Sequence, residues 1–215
     1  MPEITLYYFN VRSRGEVIRW LLKQVGVDFV DNRHEFNEWP ALKEKLLKEN
    51  KLPFGQVPVL ILEDGTPLAQ TLSICRYIAS LYGLAGATPL DRARVDALAD
   101  AYNDFYRDFK PWITAAYMED HDAAAALKEK VLSEFVPKHF PHFEKALELN
   151  KDKGWLVGDN LTWVDLFFAE QLSWTEELLD ADLLKEFPLL KAHSQKVLSL
   201  PAIANWVAER PKTSF

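Results

Sequence analysis

The sequence predicts two domains, an α/β domain over residues 1–83 and an all-helical domain over residues 84–215. Three observations carry this prediction. Strand-type, helix-type and strand-type runs follow one another within about 30 residues at the start, the length of a βαβ unit. Val59–Glu63 and Thr66–Ala69 then flank Asp64-Gly65, a pair that tolerates the positive φ of a hairpin turn, and a helical run opens at Thr71. Beyond the small-residue stretch Leu84-Ala85-Gly86-Ala87-Thr88-Pro89 no alternating pattern remains.

In residues 3–9, Ile4, Leu6 and Tyr8 alternate with Thr5, Tyr7 and Phe9, so the two adjacent tyrosines point to opposite faces of a strand. Gly15-Glu16 opens a helix carrying Val17, Ile18, Leu21, Leu22 and Val25 at helical spacing, with Gly26 as its stop. Phe29-Val30 starts a second, parallel strand, and Trp39 to Asn50 reads as a helix. Pro58, which cannot donate to a ladder, belongs at the first residue of the next strand or at a bulge, and Val57-Pro58 is a candidate cis bond. Leu72, Ile74, Cys75, Ile78, Ala79 and Tyr82 mark the helix after the hairpin. The order β-α-β-α-β-β-α is the thioredoxin-like arrangement. Its ligand is expected beyond the carboxyl ends of the parallel strands, where Tyr8, Arg14, Trp39, Gln56 and Val57 fall.

In the second domain, Leu90 to about Glu119 reads as one long helix, bent at Pro111, and Ala123 to Leu149 as a second, interrupted at Pro137 and Pro141. Residues 152–158 form a loop. Thr162 and Asp165 have the spacing of a capping box that opens a further helix, and two short helices follow at 187–200 and 201–209.

The charge pattern excludes a nucleic-acid partner. The net charge is −7, with 10 Lys/Arg against 10 Asp/Glu up to residue 83 and 15 against 22 after it, so there is no basic footprint. No apolar run approaches the ~18 residues of a membrane span and no leader pattern precedes the first strand, which points to a soluble cytoplasmic protein without a membrane partner. The single cysteine, Cys75, forbids an internal disulfide and suits a reducing compartment. Its place inside a helix makes it a core residue, although a thiol mechanism of glutaredoxin type stays open. His139 and His142 share a helical face but lack a third ligand, and no metal is expected there.

From the residues alone, the mouth of the helix at Gln70-Thr71 is either a seat for a carboxylate, held by free N–H groups and the helix dipole, or an ordinary capped terminus. Tyr7 and Tyr8 are equally serviceable as strand aromatics. The chain resembles the sigma-class glutathione transferases, the invertebrate members and the haematopoietic prostaglandin D synthases among them, through Tyr7-Tyr8-Phe9-Asn10, Arg14-Gly15-Glu16, Trp39-Pro40, Leu52 to Pro58 and Gln70-Thr71, in that order. The resemblance covers essentially the whole chain.

That resemblance implies a homodimeric enzyme that takes glutathione as cosubstrate and activates its thiol for attack on apolar electrophiles. It selects Tyr8 as the donor to the thiolate and places Arg14 near the sulfur. It assigns Trp39 and Lys43 to the glycine end of glutathione, Gln56 and Val57 to backbone pairing, and Gln70 and Thr71 to the γ-glutamyl end, with Asp104 reaching the neighbouring subunit's ligand. Phe9, Ser13, Tyr106, Trp112 and Phe215 become the walls of the second-substrate pocket, and Phe54 an interface aromatic. Ser13 and Gly15 stand where glycine and alanine are more familiar, and Asn103 replaces one carboxylate of a divalent-ion cluster, so no metal is implied. The rival readings are a glutathione-dependent prostaglandin D isomerase and a non-catalytic ligand-binding or structural member.

Overall fold

The structure is a computed structural model that describes residues 3–213. It divides into two compact units, one formed by the chain up to Leu84 together with the segment from Leu198 onward, the other by Ala85–Val197. The sequence division assigns everything after residue 83 to the helical part, whereas the segment carrying the final helix clusters with the first unit.

The first unit contains β1 (Thr5–Phe9), α1 (Ser13–Gln24), β2 (Val30–His34), α2 (Trp39–Lys48), β3 (Val59–Ile61), β4 (Pro67–Ala69) and α3 (Thr71–Leu81). The sheet order is β2-β1-β3-β4, with β1 parallel to β2 and β3 antiparallel to both β1 and β4. Pro67 opens the edge strand β4, where its missing N–H costs no ladder bond. The Val57-Pro58 bond is cis. Alternation along β1 decides the fate of the two tyrosines. Tyr7 packs with Leu42, Trp39 and Val57 on the core cluster of Leu46, Leu52, Val59, Ile61 and Ala69, while Tyr8 lies on the opposite face against Gly15 of α1.

Two boundaries move from expectation. Helix α1 begins at Ser13, whose φ is +35°, two residues before Gly15. β3 ends at Ile61, because the chain turns at once: Gly65 N–H bonds Leu62 C=O at 2.9 Å, and Thr66 N–H bonds the Asp64 carboxylate at 2.8 Å.

The second unit begins with α4 (Pro89–Tyr117), opened by a capping box in which Thr88 and Asp91 satisfy each other's N–H groups. The helix continues through Pro111. Its inner face carries Tyr102, Phe105, Phe109 and Trp112, all buried. Tyr102 sits edge-on to Phe168 at 5.4 Å and Phe105 to Phe140 at 5.1 Å.

The second long helix corrects the expected break. It runs as α5 (His121–Lys130), a π-helical turn (Val131–Phe135) and α6 (Val136–Leu149), and it passes through Pro141 without stopping. The disturbance falls just before Pro137. A proline ring crowds the carbonyl four residues back and withholds its own N–H, and widening the preceding turn relieves both.

α7 (Trp163–Leu179) opens on the capping box that the sequence predicts, and α8 (Pro188–Leu198) follows. Asp165, fully buried, accepts at Oδ2 from the N–H and hydroxyl of Thr162 and at Oδ1 from Leu156 N–H, each at 2.8 Å, and His193 Nε2 lies 2.8 Å from that same Oδ1. α9 (Pro201–Glu209) returns to the first unit and packs on α1.

Candidate active site

Tyr8 is brought to the start of α1 by the strand that carries it. It is 6% exposed, and its hydroxyl oxygen accepts the backbone N–H of Arg14 at 3.2 Å. First-turn N–H groups have no partner within their own helix, so the phenol oxygen satisfies one of them. A phenol hydroxyl can accept and donate at once, so this bond is compatible with a donor role.

Arg14 also lines a small open cleft together with Phe54, Gln56, Val57, Pro58, Ala69, Gln70 and Thr71, and Tyr8 itself is not among the lining residues. Three local features build it. Gly55 turns the chain at φ +63°, a conformation that costs glycine little. The cis Val57-Pro58 bond follows. Gln70 then adopts φ +74°, ψ +116°, an uncommon backbone state for a residue with a side chain. Gln70 gives α3 no side-chain cap, and the Thr71 hydroxyl donates instead to Arg14 C=O at 3.3 Å. The mouth of α3 is therefore not closed by capping from these two residues, which favours the carboxylate-seat reading over the ordinary capped terminus.

Trp39 and Lys43, one turn apart on α2, are not among the residues lining that cleft. Trp39 meets Phe9 edge-on at 5.5 Å, and the Lys43 ammonium stands 6.0 Å from the Trp39 ring centre. The end of the Lys43 side chain lies under 4 Å from where a side chain on Gly55 would begin, so it reaches the turn that carries Gln56. Arg14, Lys43 and the α3 terminus make this side of the unit suited to an acidic, extended peptide.

Beneath Tyr8 lies a network that sequence reasoning missed. The Glu16 carboxylate, with no exposed surface, accepts from Arg19 at 3.1 Å, Trp20 Nε1 at 3.3 Å, Trp206 Nε1 at 2.8 Å and Arg210 at 2.9 Å. Burial pushes its pKa up, but the charges of Arg19 and Arg210 and the bonds from Arg210 and Trp206 together hold it below the ordinary value. Arg19 also donates to Val11 C=O at 2.8 Å, Phe9 C=O at 3.3 Å and Asp31 at 3.0 Å, and its guanidinium carbon lies 5.9 Å from the Tyr8 ring centre. The i, i+3 and i, i+4 spacing of Glu16, Arg19 and Trp20 was the available signal.

Asp104, Tyr106 and Trp112 belong to the other unit, all on α4. Asp104 is exposed and pairs with Arg107 at 2.8 Å, Tyr106 is half-buried, and Trp112 is buried and stacked on Phe109 at 5.4 Å. The expected wall residue Phe215 lies outside the described residues. Cys75 is fully buried, and burial drives its thiol pKa well above the usual range, which removes it as a thiolate nucleophile. His139 bonds Asp108 at 2.9 Å and His142 is exposed. Among the described residues no three acidic, histidine or cysteine side chains come together as a metal group, and no helix is long and apolar enough to cross a membrane.

Comparison with known proteins agrees with this geometry. Residues 4–80 match the glutathione S-transferase N-terminal domain and residues 107–210 the C-terminal domain. The chain is 41% identical to glutathione S-transferase 1 of Ascaris suum and 39% identical to the hematopoietic prostaglandin D synthase of Gallus gallus, with 100% of both chains covered in each case. Its fold superposes on monomeric Na-GST-3, a glutathione S-transferase of the hookworm Necator americanus, with a TM-score of 0.89 at 36% identity, covering 99% of this chain and 100% of that one. With the thioredoxin-like sheet, the helical second unit and a cleft fit for an acidic peptide, these matches make the chain a member of the glutathione S-transferase family, an enzyme that uses glutathione as its cosubstrate.

Proposed function

We propose that this transferase is of the sigma class and works as a cytoplasmic homodimer that conjugates glutathione to apolar electrophiles, a detoxifying role. The observation that carries the residue assignment is the convergence of Arg14, Gln56, Val57, Gln70 and Thr71 on one cleft, with the Arg14 N–H bonded to the Tyr8 hydroxyl. In this reading Gln70 and Thr71, with the α3 terminus, receive the γ-glutamyl carboxylate. The backbone at Gln56-Val57 pairs with the cysteinyl residue, and Trp39 and Lys43 take the glycyl carboxylate. Tyr8 donates a hydrogen bond to the sulfur, with Arg14 adding positive potential, so that the thiol ionises below its free value near 8.5. The thiolate then forms a carbon–sulfur bond, and the leaving group departs with its electron pair. Phe9 and Ser13 of the first unit contact the electrophile.

A second reading, glutathione-dependent isomerisation of a prostaglandin endoperoxide, is favoured by the 39% identity to the chicken synthase, nearly level with the nematode transferase. Turnover of a chloronitrobenzene, an organic hydroperoxide and the endoperoxide, each with and without glutathione, separates the two. Conjugation of the chloronitrobenzene supports the transferase reading, activity confined to the endoperoxide supports the second, and no glutathione-dependent turnover of any of them removes both.

The dimer has its own test. Asp104, exposed and held only near the surface by Arg107, is assigned to the glutathione amine in the partner subunit. Asp104→Ala should raise the KM for glutathione about tenfold or more, the loss of a charge-assisted bond of roughly 1.5–3 kcal/mol, with the fold intact. One solved relative is described as monomeric, so sedimentation is decisive: a fully active monomer rules out a contact in trans.

A further inference from the structure

We infer that Gly15 is a positioning residue for the reaction: by lacking a side chain it lets the Tyr8 ring lie directly on the first turn of α1, where the hydroxyl meets the Arg14 N–H. The inference rests on the reading of Tyr8 as donor to the thiolate.

A Cβ placed on Gly15 would fall 2.7 Å from Tyr8 Cγ and 3.0 Å from Cε1, with Cδ1 closer still. Carbon atoms in contact prefer about 3.5–4.0 Å, so the two groups cannot both keep their places. The atoms that collide include the root of the ring, tied to β1, which is paired to Arg33 of β2 at that register. They are not the tip of a side chain free to swing. The ring has little freedom to retreat: Phe9 meets it edge-on at 5.6 Å, the Arg19 guanidinium carbon is 5.9 Å from its centre, and both Tyr8 and Gly15 are buried. Any shift that clears a methyl group displaces the hydroxyl from its 3.2 Å contact with Arg14.

Nothing in the backbone calls for glycine. Gly15 is helical, and it is not among the glycines with positive φ, so alanine, the better helix former, would suit the main chain. What glycine contributes at this position is room. The hydroxyl's position then depends on the absence of a single methyl group, and a sulfur bound at a fixed place in the cleft would feel that methyl as a longer hydrogen bond.

The test is a cycle of Gly15→Ala, Tyr8→Phe and the double variant. Gly15→Ala should lower kcat at least fivefold while the KM for glutathione stays within twofold, with a modest fall in melting temperature because the added methyl overpacks a buried contact. The acidic limb of the pH profile of kcat/KM should move to higher pH, because the thiol loses part of its donor. In the Tyr8→Phe background the same substitution should change kcat less than twofold, since no hydroxyl remains to be displaced. Wild-type kcat and an unshifted profile in Gly15→Ala, with Tyr8→Phe damaged, would overturn the inference while leaving the role of Tyr8 intact. Equal losses in both backgrounds, or a fall in glutathione affinity matching the fall in kcat, would also overturn it, by showing a general structural effect. An undamaged Tyr8→Phe enzyme would instead remove the reading on which the inference stands.

Discussion

Tyr8→Phe is expected to lower kcat by about one to two decades while leaving the KM for glutathione nearly unchanged. The substitution keeps the ring, its contacts with Phe9 and its seat on α1, and deletes one oxygen. That oxygen is assigned to the thiolate, and a hydrogen bond to an ionised group contributes roughly 1.5–3 kcal/mol, or about one to two pKa units of the bound thiol. The bond is made to the charged sulfur that attacks, not to the peptide ends that anchor glutathione, so the loss appears in kcat. The same argument sets the pH dependence. With its donor gone the thiol titrates at higher pH, so the deficit should shrink in alkaline buffer as free thiolate becomes available without help. A titration of thiolate absorbance with glutathione bound checks the shift directly. Tyr7→Phe is the control: Tyr7 faces the α2 cluster and stacks on His34 at 5.8 Å, and its loss should leave turnover within about twofold. If Tyr7→Phe proved the damaging change and Tyr8→Phe the silent one, the assignment would be reversed.

Glu16→Ala should destabilise the first unit by about 3–5 kcal/mol, the usual cost of removing one partner of a buried ion pair. The cost arises from what stays behind. Arg19 has no exposed side-chain surface, and Trp206 and Arg210 lose their shared acceptor. Against a total stability on the order of 5–15 kcal/mol this is a large fraction. The melting temperature should drop by about 10 °C, with Trp20 and Trp206 reporting through their fluorescence. Glu16→Gln, which keeps an acceptor oxygen and the volume, should lose less. The wild-type protein has a further dependence on acid. Because the folded state holds the Glu16 carboxyl below its ordinary 4.5, its stabilisation is complete above that pH and is lost as pH falls through the lowered value. Glu16→Gln should flatten this part of the stability profile. A Glu16→Ala protein as stable as wild type from neutral pH down through the acid range would show that the network contributes nothing.

The features legible in the sequence are the ones decided over a few residues. The alternation in β1, the Asp64-Gly65 turn, the Val57-Pro58 bond and the Thr162–Asp165 capping box all depend on near neighbours, and each appears where the pattern places it. Resemblance was needed to choose between Tyr7 and Tyr8, because alternation says only that they point apart. The structure adds that Tyr8 alone meets the α1 terminus. What was illegible depends on distance or on exact fit. Trp206 and Glu16 are separated by 190 residues, and nothing local to either announces the other. The π-helical turn arises from how a continuing helix accommodates Pro137, which composition presents only as an interruption. The strained Gln70 backbone and the contact between Gly15 and the Tyr8 ring are matters of a few tenths of an ångström, beyond any periodicity.

The return of α9 to α1 sets the order in which this protein can finish itself during synthesis. The sheet and α1 emerge from the ribosome first, with Glu16 and Arg19 already committed to the interior, but Trp206 and Arg210 do not yet exist. At ~5–20 residues per second, residues 85–197 take on the order of ten seconds to make. Throughout that interval the nascent first unit carries a buried carboxylate short of two of its donors and an α1 surface without its covering helix. The helical unit, continuous in the chain, has no such wait. A chain truncated before Trp206 is therefore expected to lose stability in its N-terminal unit, far in sequence from the missing residues.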